Sequence, residues 1–92
     1  MKFLMLGKYS LDAVQKISTD RTEKVVSLIE KAGGKVNLMY VLLGSYDLVF
    51  LVDLPNIQKV IKASIAITKL TGISFTTFPA IDVEEFDKIA IL

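Results

Sequence analysis

The apolar positions of this chain change their spacing several times, and each change marks a predicted element. Short apolar runs bounded by glycine, proline or charged residues are typical of strands. Four segments have strand character: residues 3–6, 35–43 and 48–52, and residues 73–78, where Ile or Phe alternates with Ser or Thr. Gly7-Lys8 closes the first segment, Asp53 the third, and Pro79 the last.

Between the first two strands, apolar residues recur at helical spacing and predict an amphipathic helix. Its inward stripe consists of Val25, Leu28, Ile29 and Ala32. Residues 18–20 (Ser-Thr-Asp) offer candidate N-caps, and Asp20 with Glu23 has the spacing of a capping box. Gly33-Gly34 ends this helix. Residues 11–18 are ambiguous, and we expect a loop with one helical turn there.

A second helix is predicted over residues 56–71. Pro55 suits the first position of a helix, and Gly72 suits the position after its end. Residues 65–67 also fit an alternating strand, but the length of the segment and its two boundaries favour the helix. Its polar side is narrow and consists of Lys59, Lys62 and Lys69, which form either a solvated face or an anion site.

Near the end of the chain, Asp82 and Glu85 repeat the cap spacing and predict a short terminal helix. The apolar side of that helix consists of Phe86, Ile89 and Ala90. The order of elements is then β-α-β-β-α-β with a helical tail. This order is that of the ferredoxin-like fold, one antiparallel sheet with two helices on one face. The sequence therefore predicts a single α+β domain over residues 1–92.

The predicted strands carry more apolar side chains than two helices can cover. Residues 48–52 are five apolar residues in a row, so large groups point to both faces of the sheet. A second copy related by a two-fold axis would cover the open face, and Phe50→Glu would then break the pair if Phe50 points to the partner. Alternatively, the tail folds back over that face through Phe86, Ile89, Ile91 and Leu92.

Composition removes several classes of function. The chain has 11 basic and 10 acidic residues, no Cys and no His. A net charge of +1 argues against a nucleic-acid binder, and the missing residue types exclude thiolate chemistry and a Ser-His-Asp triad. Haem would need Tyr or Met ligation. No apolar run approaches the length of about 20 residues that a membrane helix requires. We expect a cytoplasmic protein with no cofactor, no metal and no membrane contact.

The only arginine, Arg21, stands on the inward side of the first helix. Its planar guanidinium needs a carboxylate or backbone partner there. Asp47 and Asp53, at the two ends of the third strand, are the predicted partners in an ion pair that fixes helix against sheet. The alternative is a small anionic ligand held between Arg21 and nearby backbone donors.

The hairpin between the second and third strands contains Gly44-Ser45-Tyr46-Asp47. Its structural interpretation is a turn in which Gly gives backbone freedom and Asp caps. Its functional interpretation is a Tyr46 hydroxyl beside the Asp47 carboxylate, which could bind or polarise a small molecule. Tyr9 and Tyr40 are typical of aromatic side chains at the margin of a core, with the hydroxyl in water. The candidate binding residues are Arg21, Tyr40, Tyr46 and Asp47.

These features together resemble the GYD domain family. The family pattern stands here as Leu43-Gly44-Ser45-Tyr46-Asp47, preceded by Tyr40 and by Gly33-Gly34. The resemblance extends to Arg21, to Asp53-Leu54-Pro55 and to Gly72, and so spans nearly the whole chain. It implies a dimeric α/β barrel, in which two ferredoxin-like sheets pack face to face. The family has no established activity, so the resemblance implies an architecture and not a reaction.

Two functions remain open at this point. The first is a non-enzymatic homo-oligomeric module that binds a small molecule or a partner at the sheet–helix edge. The second is a small cofactor-independent enzyme, similar to the monooxygenases and isomerases built on dimeric barrels. An enclosed pocket joining Tyr46 to Arg21, with Asp47 free, would favour the enzyme. An ion pair of Arg21 with no adjoining cavity would favour the module.

Overall fold

The computed structural model describes residues 1–91 and contains four strands and four helices. The strands are β1 (Lys2–Tyr9), β2 (Lys35–Val41), β3 (Leu48–Asp53) and β4 (Ile73–Ala80). The helices are α1 (Leu11–Gln15), α2 (Thr19–Lys31), α3 (Ile57–Thr71) and α4 (Val83–Ala90). The strands pair antiparallel in the order β2-β3-β1-β4. This order confirms the predicted ferredoxin-like α+β fold with its helical tail.

The hydrophobic core lies between one face of the sheet and the two long helices. Alternate residues of β1 and β3 point into it, because successive side chains of a strand point to opposite faces. The largest buried side chains are Phe3, Met5, Ile29, Phe50, Val52, Leu54 and Ile67. Phe50 is 1% exposed and faces the helices, so the expectation that it could face a partner copy is wrong. Its ring also packs on that of Phe75, with centroids 5.5 Å apart.

Two strands run further than their sequence signals indicated. β1 continues through Gly7 to Tyr9, because Gly7 lies under the Phe75 ring instead of at a turn. A Cβ atom at Gly7 would lie 3.0 Å from that ring, so the missing side chain serves the packing. β4 passes through Pro79 to Ala80, which an edge strand tolerates since one side of it needs no N–H donor.

The two long helices start at or within one residue of the predicted positions, but their caps differ in detail. Ser18 caps α2 by accepting a hydrogen bond from the Arg21 N–H at 3.0 Å, so the Asp20–Glu23 capping box is wrong. Asn56 caps α3 through the Lys59 N–H at 2.9 Å, which leaves Pro55 before the cap. The side chain forms the cap in both cases because it offers an oxygen to an otherwise unpaired amide. Gly72 ends α3 with φ +75°, as predicted.

The second face of the sheet is apolar and open. Its apolar side chains are Leu4, Leu6, Leu38, Tyr40, Val49, Leu51 and Phe78, and Ser74 and Thr76 of β4 share the face. The tail does not cover this face, since none of residues 83–90 is buried and Phe86 is 57% exposed. Leu92, which the tail alternative also used, lies outside the described residues. Within residues 1–91, no helix combines the length and hydrophobicity needed to cross a bilayer.

Candidate functional site

The four candidate binding residues lie in three different places. Arg21 is on α2, on the helical side of the sheet. Tyr40 is on β2 opposite Val49, on the open face, and is 62% exposed. Tyr46 and Asp47 are half-buried in the loop of residues 42–47 that joins β2 to β3. One copy of the chain therefore does not bring the four side chains into a single site.

Arg21 reaches a backbone carbonyl instead of a carboxylate. Its Nη1 donates a hydrogen bond to the carbonyl oxygen of Ala13 in α1. Its guanidinium carbon lies 5.5 Å from the centroid of the Tyr9 ring, within range of a cation–π contact. Within residues 1–91, no carboxylate forms an ion pair with Arg21, so the predicted pairing with Asp47 or Asp53 is wrong. The Ala13 carbonyl also accepts the backbone N–H of Lys16, the C-cap residue of α1, at 3.3 Å, so Arg21 is its second donor.

A small cavity of about 40 Å³ lies beneath Arg21, between the first half of α2 and the sheet. Its wall consists of Tyr9, Arg21, Thr22, Val25, Met39, Leu48, Phe50 and Ile73. Most of these side chains are apolar, and the polar ones are Tyr9, Arg21 and Thr22. The volume is of the order of one or two water molecules, given about 30 Å³ per water in the liquid. A carboxylate head group is the size of object that this space accepts.

Asp47 is held by the scaffold on three sides. Its Oδ2 accepts the Tyr9 N–H at 2.8 Å, and its own N–H donates to the Gly7 carbonyl at 2.9 Å. Its carbonyl accepts the Leu42 N–H at 2.8 Å, which closes the loop. Nearby, the Lys8 ammonium donates to the Ser45 carbonyl at 3.1 Å. These bonds support the structural interpretation of the Gly-Ser-Tyr-Asp hairpin.

Asp53, the other predicted partner of Arg21, has a different neighbour. Its Oδ2 accepts a hydrogen bond from the Asn37 side-chain amide at 2.7 Å. Asn37 lies where the register between β2 and β3 shifts by one residue, so this bond ties the irregular part of β2 to its neighbour. Within residues 1–91, no cluster of three or more acidic side chains is arranged to hold a metal ion.

Tyr9 is the residue that sequence reasoning undervalued. Its ring lies beside Arg21, and its backbone N–H binds Asp47, so it links the helical layer to the hairpin. The strand period contained the signal, since Tyr9 shares a face with Phe3, Met5 and Gly7. The predicted first strand stopped at Gly7-Lys8, so Tyr9 lay outside it and the period was not applied to this residue.

Comparison with known proteins gives a family and a fold. The family model for the GYD domain matches residues 3–90. No curated protein sequence matches the chain closely enough to count as a relative. Among solved structures, the leucine response regulatory protein of Mycobacterium tuberculosis is similar, with a TM-score of 0.58 and 10% sequence identity. The match covers 88% of this chain and 50% of that one, so the chain spans about half the length of that protein. At this identity the likeness shows the fold alone.

Proposed function

The chain belongs to the GYD domain family, and from that premise we propose that it is a homo-oligomeric binding module and not an enzyme. Two copies pair through the open faces of their sheets. Each copy binds a small anionic molecule, or an anionic group of a partner, at the edge between α2 and the sheet. In this proposal the module works in the cytoplasm.

The pairing is supported by the seven apolar side chains of the open face. Leu4, Leu6 and Leu51 lie on the two central strands, where a facing sheet would cover them completely. Tyr40 and Phe78 lie on opposite edge strands and are the most exposed members of the set. Burial of such a surface contributes about 25 cal/mol for each Å² of apolar area removed from water. A two-fold axis through the face matches each apolar strand with another one.

The charge of Arg21 is the observation that carries the binding function. A guanidinium has five N–H donors, and one of them is used by Ala13. The ring of Tyr9 stabilises the cation without neutralising it. A carboxylate at the mouth of the small cavity would supply the missing negative charge in a bidentate geometry. The cavity accepts the head group, and the remainder of the ligand would lie at the surface.

The enzyme alternative receives less support from the same geometry. It needs a pocket that joins Tyr46 to Arg21 and an Asp47 carboxylate that is free to act. Tyr46 is not among the residues that line the cavity under Arg21, and Asp47 accepts the Tyr9 amide. A carboxylate that already accepts a structural hydrogen bond is a poor candidate for a general base.

The test is native mass spectrometry of protein purified from its own host, beside light scattering of the same sample. We expect a mass of two copies or more and a small acid retained by the wild type. Arg21→Gln removes the positive charge, together with the bond to Ala13, and should lose that acid. Acetate and L-leucine are defined probes for added ligand; leucine joins a carboxylate to an apolar group, and the M. tuberculosis protein is named for its response to it. A protein that runs as one copy and binds no acid at millimolar concentration would contradict the proposal.

A further inference from the structure

The terminal helix α4 is an amphipathic helix without a partner. None of residues 83–90 is buried, although Val83, Phe86 and Ile89 form an apolar stripe along one side. Its polar side is strongly acidic and carries Asp82, Glu84, Glu85 and Asp87 against a single Lys88. A helix of this length gains most of its stability from packing its apolar side against another element.

The groove between α2 and α3 has the opposite character. Two adjoining cavities of about 250 and 200 Å³ lie along it and share Leu28, Lys31 and Ala66. Its floor is apolar and consists of Leu28, Ala32, Ala63, Ala66 and Leu70. Its rim carries Lys24, Lys31, Lys59 and Lys62. Among residues 1–91, no acidic side chain lines the groove, although Asp20 pairs with Lys24 from outside it at 3.0 Å.

We propose that α4 of one copy docks into the α2–α3 groove of a second copy. Phe86 and Ile89, one turn apart on α4, would enter the two adjoining cavities. The acidic residues of α4 would then lie between lysines of both helices, where opposite potentials favour association. Lysines on both rims would repel each other, so pairing of the groove with a second groove is disfavoured. The charge pattern therefore selects an acidic amphipathic helix, and α4 supplies one.

The groove of the same copy is out of reach for α4. Only Ile81 and Asp82 join β4 to α4, and a two-residue link spans at most about 7 Å. The Lys2–Asp82 ion pair at 3.5 Å also links the start of α4 to the first residue of β1. α3 packs over β4, and the groove lies on the far side of α3, next to α2. Crossing a helix of about 10–12 Å diameter exceeds the length of the link.

This contact goes beyond the proposed sheet pairing and does not depend on it. The sheet face pairs with itself, whereas α4 meets a different surface on its neighbour. Such a head-to-tail contact links copies into a ring or an open chain. Together, the two contacts would join dimers into a larger assembly.

The absence of cysteine allows a direct cross-linking test. Two variants, Ala66→Cys and Phe86→Cys, are co-expressed with different tags and oxidised under mild conditions. We expect a disulfide that joins one chain of each kind, seen on a non-reducing gel. The matched control is Ile61→Cys with Phe86→Cys; Ile61 is 53% exposed on α3 and does not line the groove. Equal cross-linking through Ile61, or no cross-link at all, would overturn the proposal.

A charge exchange supplies a second readout. The double variant Glu84→Lys with Glu85→Lys should reduce the yield of the Ala66–Phe86 cross-link at least tenfold. With those changes on the Phe86→Cys chain, Lys31→Glu and Lys62→Glu on the Ala66→Cys chain, which supplies the groove, should restore the cross-link. A double variant Ala66→Cys with Phe86→Cys that closes a disulfide within one chain would show own-chain docking and refute the inference. Failure of the sheet pairing would be seen in a separate measurement: by light scattering, the Leu51→Lys protein would form an assembly of the same mass as the wild type.

Discussion

The Asp47 carboxylate accepts the backbone N–H of Tyr9 at 2.8 Å, and this bond joins the β2–β3 loop to the last residue of β1. The same tyrosine lies under the Arg21 guanidinium, 5.5 Å from ring centroid to carbon. The hairpin and the only arginine are therefore connected through Tyr9 and not through an ion pair. Asp47 therefore helps to fix the position of the tyrosine whose ring contacts the Arg21 guanidinium.

Removing this acceptor should destabilise the fold. Asp47→Ala leaves the part-buried Tyr9 amide without its partner, and we expect a loss of about 1–3 kcal/mol in the free energy of unfolding. Asp47→Asn keeps an oxygen acceptor and should lose less than half as much. Urea denaturation followed by circular dichroism measures both. Equal stability of all three proteins would show that the bond contributes nothing.

Neighbouring residues of β3 should respond in opposite ways to a charge. Leu51 points to the open face, so Leu51→Lys should give a folded protein with the mass of a smaller assembly in light scattering. Phe50 is buried under the helices, and Phe50→Glu should unfold the chain because an unpaired charge in a core is very costly. If Leu51→Lys also unfolds the chain, or leaves the mass unchanged, the open face is not the pairing surface.

Replacing each of two adjacent glycines by alanine should lower the stability of the fold by different amounts. Gly33 has φ +89°, so Gly33→Ala should cost about 1 kcal/mol from the left-handed backbone. At Gly34 an added Cβ would lie 2.2 Å from the Asp53 carbonyl, and backbone must move to admit it. We expect Gly34→Ala to cost about 3 kcal/mol or more, in the range of severe packing defects. Thermal unfolding of the two variants ranks them, and the reverse order would contradict this account.

The cap of α2 gives a test that separates two assignments. Ser18→Ala removes the oxygen that accepts the Arg21 N–H and should cost about 1 kcal/mol. Asp20→Ala removes an exposed pair with Lys24 and a carboxylate from the first turn of α2, and should cost about 0.5 kcal/mol. Chemical denaturation measures both losses. A larger loss at Asp20 than at Ser18 would restore the capping box that the sequence suggested.

Much of the fold follows from local sequence signals, whereas the surroundings of Arg21 do not. Gly72 marks the end of α3 because its φ of +75° is costly for other residues, and such a requirement is visible in the sequence. The partner of Arg21 is a backbone carbonyl of Ala13, and a carbonyl has no residue type that could reveal it. The sequence predicted that β1 ends at Gly7, because glycine is common in turns. Glycine also occurs where elements pack closely, and only the position of the Phe75 ring shows that Gly7 is such a case.

The two outer strands of the sheet also limit how this chain can aggregate. β2 changes register around Asn37, and β4 contains Pro79, which has no amide hydrogen to offer. An additional strand laid along either margin would meet an interruption in its hydrogen bonds. Fibril growth by strand addition is therefore disfavoured at both edge strands, although the open face of the sheet is largely apolar. In the proposed pairing, the apolar face stacks on that of a second copy, and growth stops once the face is covered.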